Sequence, residues 1–222
     1  ISMDTSLMEF SKTKAQIQAY KDKDGSLMQP NAVPGDVIFV DKNGDGYLTS
    51  DDQGMIGKGT PDWTFGINLN AEYKNIDFSM LISGQWGNDI LDVTRRLDCA
   101  YVNLPAELKD RWHGEGTSNT MPRFCWNGND NNKNWGNPSD LYVKNGSFAR
   151  IKNIQLGYTL PSQLTRKFFV ERLRFYVAAE NLLTLTGYKG FDPEINADKS
   201  NGIDRGYYPQ ARTFTVGLNL NF

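Results

Sequence analysis

The chain has 222 residues, 39% of them apolar and 23% charged, with a net charge of −2, and its mean hydropathy is −0.55. No run approaches the roughly 18–20 apolar residues of a spanning helix, and so balanced a charge leaves no basic footprint for nucleic acid. One histidine and two cysteines exclude zinc clusters of the usual spacing, and 12% aromatics argue against disorder. A β-rich soluble domain and part of a β-barrel survive, because alternating strands keep a barrel's hydropathy low. The chain opens Ile1-Ser2-Met3, without an initiator methionine or a signal-peptide pattern, and reads as an internal start of something longer. Cys99 and Cys125 lie in one polar segment, where a disulfide and two free thiols are both open.

The first element in chain order is Asp41-Lys42-Asn43-Gly44-Asp45-Gly46-Tyr47-Leu48-Thr49-Ser50-Asp51-Asp52. It follows the calcium-loop template: Asp41, Asn43 and Asp45 at positions one, three and five, and Gly46 at the sharp bend. Tyr47 would offer its carbonyl, Thr49 falls at the water-bridged position, and Asp52 closes the loop where glutamate is usual. Calcium is the expected cofactor, with magnesium as the alternative because aspartate is shorter. Pro34-Gly35 before the loop and Gly54, Gly57 and Gly59 after it argue against flanking helices. A metal-free Asx turn is the competing reading, and the expected role of a bound cation is loop order, outside any chemistry.

Five runs follow with a period of two. Trp63, Phe65, Ile67, Leu69, Ala71 and Tyr73 form the first, and Ile76, Phe78, Met80, Ile82 and Trp86 the second. Only Lys74-Asn75 separates them, the length of a tight hairpin. The third ends Ile154, Leu156, Tyr158, Leu160 before Pro161, and the fourth places Leu173, Phe175, Val177 and Ala179 on one face. The fifth alternates Phe214, Val216, Leu218, Leu220 and Phe222 with polar residues and glycine. Several runs reach the roughly 9–11 residues of a tilted membrane-crossing strand, against about 5–6 in soluble sandwiches. Connections alternate short (Lys74-Asn75; the turn from Pro161) and long (Gly87–Ser147; Thr186–Gln210), as in outer-membrane barrels.

With Phe222 on the periplasmic side, both long loops lie outside and both short turns inside. The terminal aromatic also resembles the signal that barrel-assembly machinery recognises. The predicted fold is all-β: about the last five strands of a larger antiparallel transmembrane barrel. Residues 1–62 form a loop region carrying the cation loop, and 63–222 form the strands with their outer loops. Trp63 and Trp86 suit an aromatic girdle. Leu218 reads as mid-strand and lipid-facing, so an arginine there is expected to cost about 2–4 kcal/mol.

No catalytic constellation is found. His113 stands alone in an outer loop, and no glycine run has phosphate-loop spacing. Trp112, Trp126 and Trp135, with the Asn and Asp around them, suit contact with a glycan or a protein partner, and loop packing is the simpler role for each.

Several motifs together carry a family resemblance. Pro34-Gly35-Asp36-Val37-Ile38-Phe39-Val40-Asp41-Lys42-Asn43-Gly44-Asp45-Gly46 resembles the PGD signature of SusC/RagA-type TonB-dependent outer-membrane transporters. Ile56-Gly57, Pro61 and Phe65-Gly66 follow in the expected order. Tyr73-Lys74-Asn75-Ile76-Asp77-Phe78-Ser79 and Arg150-Ile151-Lys152-Asn153-Ile154-Gln155-Leu156-Gly157-Tyr158 are similar to two of its strand motifs. Glu180-Asn181-Leu182-Leu183-Thr184 and Gly190-Phe191-Asp192-Pro193-Glu194 are similar to two more.

The resemblance implies a 22-stranded barrel with a plug, importing glycan fragments or peptides across a Gram-negative outer membrane. The implied partners are the remainder of the barrel and plug, membrane lipid, a SusD-like surface lipoprotein, and TonB through an upstream segment. It implies no enzyme activity. Two other classes stay open at this point: a secreted β-sandwich binding module with a calcium-stapled loop, and an outer-membrane adhesin or scaffold without transport.

Overall fold

The computed structural model describes residues 2–3, 9–10, 13–94, 103–104, 106–125, 131–136, 139–195 and 202–222. The five predicted strands are present: β1 (Trp63–Tyr73), β2 (Ile76–Trp86), β3 (Phe148–Thr159), β4 (Arg172–Thr186) and β5 (Thr213–Asn221). They form one sheet in the order β5-β4-β3-β2-β1, every neighbouring pair antiparallel. Each strand therefore pairs with its neighbour in sequence, across short and long connections alike. The first connection is Lys74-Asn75, with Lys74 at a left-handed φ of 56°. The second is a four-residue helix, Ser162–Thr165, leading into a 3₁₀ turn, Arg166–Phe168. No helix among the described residues is long and apolar enough to cross a membrane, which says nothing about crossing by strands.

The register joins the apolar alternation of each strand into one continuous face. Leu69 lies opposite Met80, then Ile154, Ala179 and Phe214 follow across the sheet. One row is Ala71, Phe78, Leu156, Val177 and Val216, and the next is Tyr73, Ile76, Tyr158, Phe175 and Leu218. This face is largely open: on the inner strands Leu156 is 49% and Val177 51% exposed, and of these rows only Ala179 is buried. A sandwich would bury such a face at about 25 cal/mol per Å², so the soluble-module reading fails on the uncovered face. The opposite face carries Asn70, Ser79, Gln155 and Thr215 in register.

The ends of the apolar face are aromatic. Trp63 pairs with Trp86 at one end, and Tyr73 and Tyr158 share a row at the other. Ten residue steps at roughly 3.3 Å, tilted by roughly 40°, give a band about 25 Å tall, the height of a barrel's lipid belt. Leu218 shares the row of Tyr73 and Tyr158, the rim row of β1, and the middle row of β1 is that of Leu69, Met80 and Phe214. Rows run square to tilted strands, so a row changes depth from strand to strand, and on β5 Leu218 is mid-strand.

Two irregularities were not readable from the period. Lys152 is the extra residue on β3 against β2, and Asn181 and Leu182 of β4 stand against Lys152 alone on β3, one residue extra. Asn181 takes the left-handed φ of 51° that such a bulge needs, and its side chain donates to the Ala211 carbonyl at 3.0 Å.

By internal contact the chain forms two units: residues 60–89, 145–201 and 206–222, which hold the sheet, and residues 1–59, 90–144 and 202–205. In the second of these, Leu91 and Asp92 pair in parallel with Ile203 and Asp204, and Glu9 and Phe10 pair with Ile38 and Val37. Leu108, Cys125, Trp135 and Leu141 form its small core.

Candidate functional site

Three polar clusters carry the motifs. The first belongs to the sheet. Arg150 is buried on β3, and its guanidinium donates to Asp192 Oδ1 at 2.5 Å, Glu194 Oε2 at 2.8 Å and Thr184 Oγ1 at 2.8 Å. The Lys152 ammonium donates to both Glu194 oxygens at 2.5 and 2.6 Å. Asp192 also accepts the Glu194 and Gln210 amides, each at 2.9 Å. Burial opposes ionisation of Asp192, but the Gln210 amide, Arg150 and the Glu194 amide outweigh it and hold its carboxyl below the usual range. The connection between β4 and β5 is thereby latched to the strand wall. The sequence contains both halves, Arg150-Ile151-Lys152 and Asp192-Pro193-Glu194, but no local signal that they meet.

At the opposite end of the polar face, Arg174 of β4 grips Asp77 of β2 with two hydrogen bonds, at 2.9 and 2.5 Å. The pair reaches across β3, where Gly157 stands opposite Asp77. A Cβ at Gly157 would collide with both partners, so glycine is what lets the bridge form.

The second cluster is built on the Pro34-Gly35-Asp36 turn. Asp36 is fully buried and accepts from Arg123 Nε, from the Val33 amide at 2.8 Å and from Asn134 Nδ2 at 2.6 Å. Asn134 accepts the Val37 amide at 3.0 Å, and Gln29 and Asn132 donate to the Val37 carbonyl at 3.0 and 2.9 Å. Gly35, at φ 90°, lies against the Trp112 ring, which a side chain would enter. Residues about a hundred positions later thus meet the Asp36 carboxylate and both backbone groups of Val37.

This packing bears on the tryptophans read as ligand or partner contacts. Trp135 is only 8% exposed, packed among Leu108, Cys125 and Leu141, and its indole N–H donates to the Arg123 carbonyl at 3.2 Å. It is a core residue, the loop-packing role of the two its sequence context left open. Trp112 is half-buried against Gly35. Trp126 lies outside the described residues, as does Cys99. The Cys125 thiol is buried and takes a hydrogen bond from Asn134 Nδ2 at 3.7 Å.

The third cluster is the acidic loop. Asp41 accepts the Gly44 and Gly46 amides, each at 2.7 Å, Asn43 accepts the Asp45 amide at 2.8 Å, and Asp45 accepts the Tyr47 amide at 2.8 Å. Asp52 is buried and accepts from Lys42 at 2.9 Å, Asn43 at 3.3 Å and Thr49 at 2.8 Å. The Thr49 amide leads in holding the Asp52 carboxyl below its usual range, with the Asn43 and Lys42 amides adding to it against burial. Thr49 itself caps the short turn Ser50–Asp52, and Tyr47 donates its hydroxyl to Asp24 at 2.8 Å. The side-chain oxygens of the calcium template are therefore turned onto the loop's own amides. Among the described residues no group of three or more His, Cys, Asp or Glu converges to hold a metal.

A largely open apolar face over one long antiparallel sheet, with connections pinned by buried charge, defines the class: a segment of a transmembrane β-barrel. Comparison with known proteins gives its relatives. No family model matches the chain. TonB-dependent receptor P3 of Formosa agariphila is 35% identical over 198 residues, 85% of this chain and 19% of its own length. TonB-dependent receptor SusC of Bacteroides thetaiotaomicron is 30% identical over 193 residues, 86% of this chain and 18% of its own. The RagAB peptide importer in its closed-closed state matches with a TM-score of 0.64 at 22% identity, over 97% of this chain and 22% of that one. Its open-open state gives 0.61 at 25% identity, over 80% and 19%. The chain spans about a fifth of the length of the curated relatives it matches. Over the segment it covers, the chain's relatives are TonB-dependent receptors, SusC among them, and its structural neighbours are RagAB importers; receptors of this type are outer-membrane proteins and are not enzymes.

Proposed function

We propose that this chain works as barrel wall and outer-loop scaffold in a TonB-dependent importer of the Gram-negative outer membrane, taking up glycan fragments or peptides with a SusD-like surface lipoprotein. The continuous apolar face carries the reading, because its exposed rows and aromatic ends suit lipid and none of the described residues covers them. The bare outer strands β1 and β5 then pair with further strands of the barrel, since open edges do not persist in lipid. An adhesin or scaffold would share the wall, and energised uptake separates it from a transporter. TonB and plug contacts belong to segments beyond this chain.

In this reading the long connections Gly87–Ser147 and Thr186–Gln210 form the external mouth and meet the lipoprotein. Two measurements test it. Cells carrying the intact transporter should accumulate fluorescent oligosaccharides or oligopeptides only while TonB is energised. Accumulation of neither would remove import. Protease added to intact cells should cut these connections without the lipoprotein and spare them with it. Cleavage only after the outer membrane is permeabilised would invert the topology, and equal cleavage in both strains would remove the partner interface.

A further inference from the structure

We propose that the turn between β3 and β4 is a lipid anchor, seating Leu164, Phe168 and Phe169 in the phospholipid interface at the inner rim of the barrel; this rests on the barrel reading above. Leu164 and Phe168 are four residues apart on the helix and 3₁₀ turn, hence on one side of it. They are 50% and 76% exposed, and Phe169 is 90% exposed. Thr165, between them in sequence, is buried and faces inward. Beside the exposed Ser162, Gln163, Arg166 and Lys167, the turn thus keeps three large apolar side chains in the open, which water alone would not select.

Phe169 adds a second observation. Its φ of 61° is left-handed, a conformation bulky side chains rarely take. Glycine or asparagine would close the 3₁₀ turn with less strain, so the turn keeps a large apolar ring at a position where packing gives it no return. Two further facts say which neighbour the ring meets. The concavity on the polar face at this end, about 710 Å³, is lined on the turn by Pro161, Ser162 and Glu171, and none of the three apolar residues borders it. The turn also leaves the sheet directly below the rim row of the apolar face: the Leu160 amide donates to the Leu173 carbonyl at 2.8 Å, just beyond Tyr158 and Phe175. The exposed rings therefore continue the lipid-facing belt. Arg166 and Lys167, both exposed within the same turn, suit anionic head groups at that depth.

The test places p-benzoylphenylalanine at Phe169, and separately at Leu69 in the middle row, in the intact transporter inserted into vesicles of phosphatidylethanolamine and phosphatidylglycerol. Irradiation is expected to give adducts of phospholipid mass at both positions. A phospholipid adduct at Leu69 with a polypeptide cross-link, or no adduct, at Phe169 overturns the anchor and leaves the barrel. No phospholipid adduct at Leu69 removes the barrel reading itself. If the Phe169 variant does not insert, the same label at Phe168 carries the test with the same two outcomes.

Discussion

Arg150 and Asp192 meet at 2.5 Å although 42 residues separate them, and both are buried. Arg150 is fixed on a strand of the wall, whereas Asp192 belongs to the long connection between β4 and β5. Their union, completed by Glu194 and Lys152, decides where that connection lies. Removing one partner of a buried ion pair leaves the other charge stranded, at about 3–5 kcal/mol. Arg150→Met should therefore free the connection around Asp192 while the strands stay paired. Hydrogen exchange on the intact transporter should show faster exchange at the Glu194 and Gln210 amides and little change on β3. Unchanged exchange at both amides would show that the latch holds nothing.

The same latch has a pH sign. The Asp192 carboxyl titrates below its ordinary value, so its stabilising contribution is present above about pH 4 and is lost as pH falls through the lower folded value. Acidification through that window should loosen the connection in the native chain. Asp192→Asn should be loose at neutral pH already and insensitive to the window. An identical acid profile for both would assign the transition to other carboxylates.

The two faces of one strand give a comparison. Leu218, mid-strand on β5, belongs to the apolar face, and Thr215, opposite Ala178, to the polar face. Arginine should cost about 2–4 kcal/mol at Leu218 near the bilayer midplane, and Thr215 should accept it far more readily. Denaturant titration of the intact protein refolded into bilayers measures both. Equal costs at Leu218 and Thr215 would defeat the assignment of faces.

The strands were legible because a two-residue period is a local signal, and Trp63 to Tyr73 shows it over the whole length of β1. The bulge at Asn181 was not, because Asn181-Leu182-Leu183 has no period of its own and its extra residue is defined only against Ile151 and Asn153 of the neighbouring strand. The depth of burial of Trp135 was not legible for a related reason. Trp135 sits in a segment rich in Asn and Asp, which reads as an exposed loop, yet those same amides are what bury the turn at Asp36: Asn134 reaches it across 98 positions. Polar residues that serve buried backbone look, in sequence, like polar residues that serve water. The acidic loop was legible as a loop, because Gly44 and Gly46 adopt positive φ where the template requires it. Which groups its oxygens would face was not.

That loop carries the last prediction. We propose that Asp41, Asn43, Asp45, the Tyr47 carbonyl, Thr49 and Asp52 take calcium. The loop is already closed without a cation: Asp41 and Asp52 between them accept five backbone amides. Binding must compete with those bonds, and Asp52, at position twelve, must turn an oxygen away from amides that lower its pKa. The cation's gain is reduced by that competition, so affinity should fall in the weak extracellular range, about 10⁻⁴–10⁻³ M. Calcium titration of the intact transporter should show saturable heat in that range and slower exchange at the Gly44 and Gly46 amides. Asp45→Ala should remove the heat while leaving the Asp41 and Asp52 hydrogen bonds, and hence most of the loop's protection, in place. No calcium-dependent heat up to about 10 mM, some tenfold above that range, or the same heat in Asp45→Ala, would leave these residues as a metal-free turn.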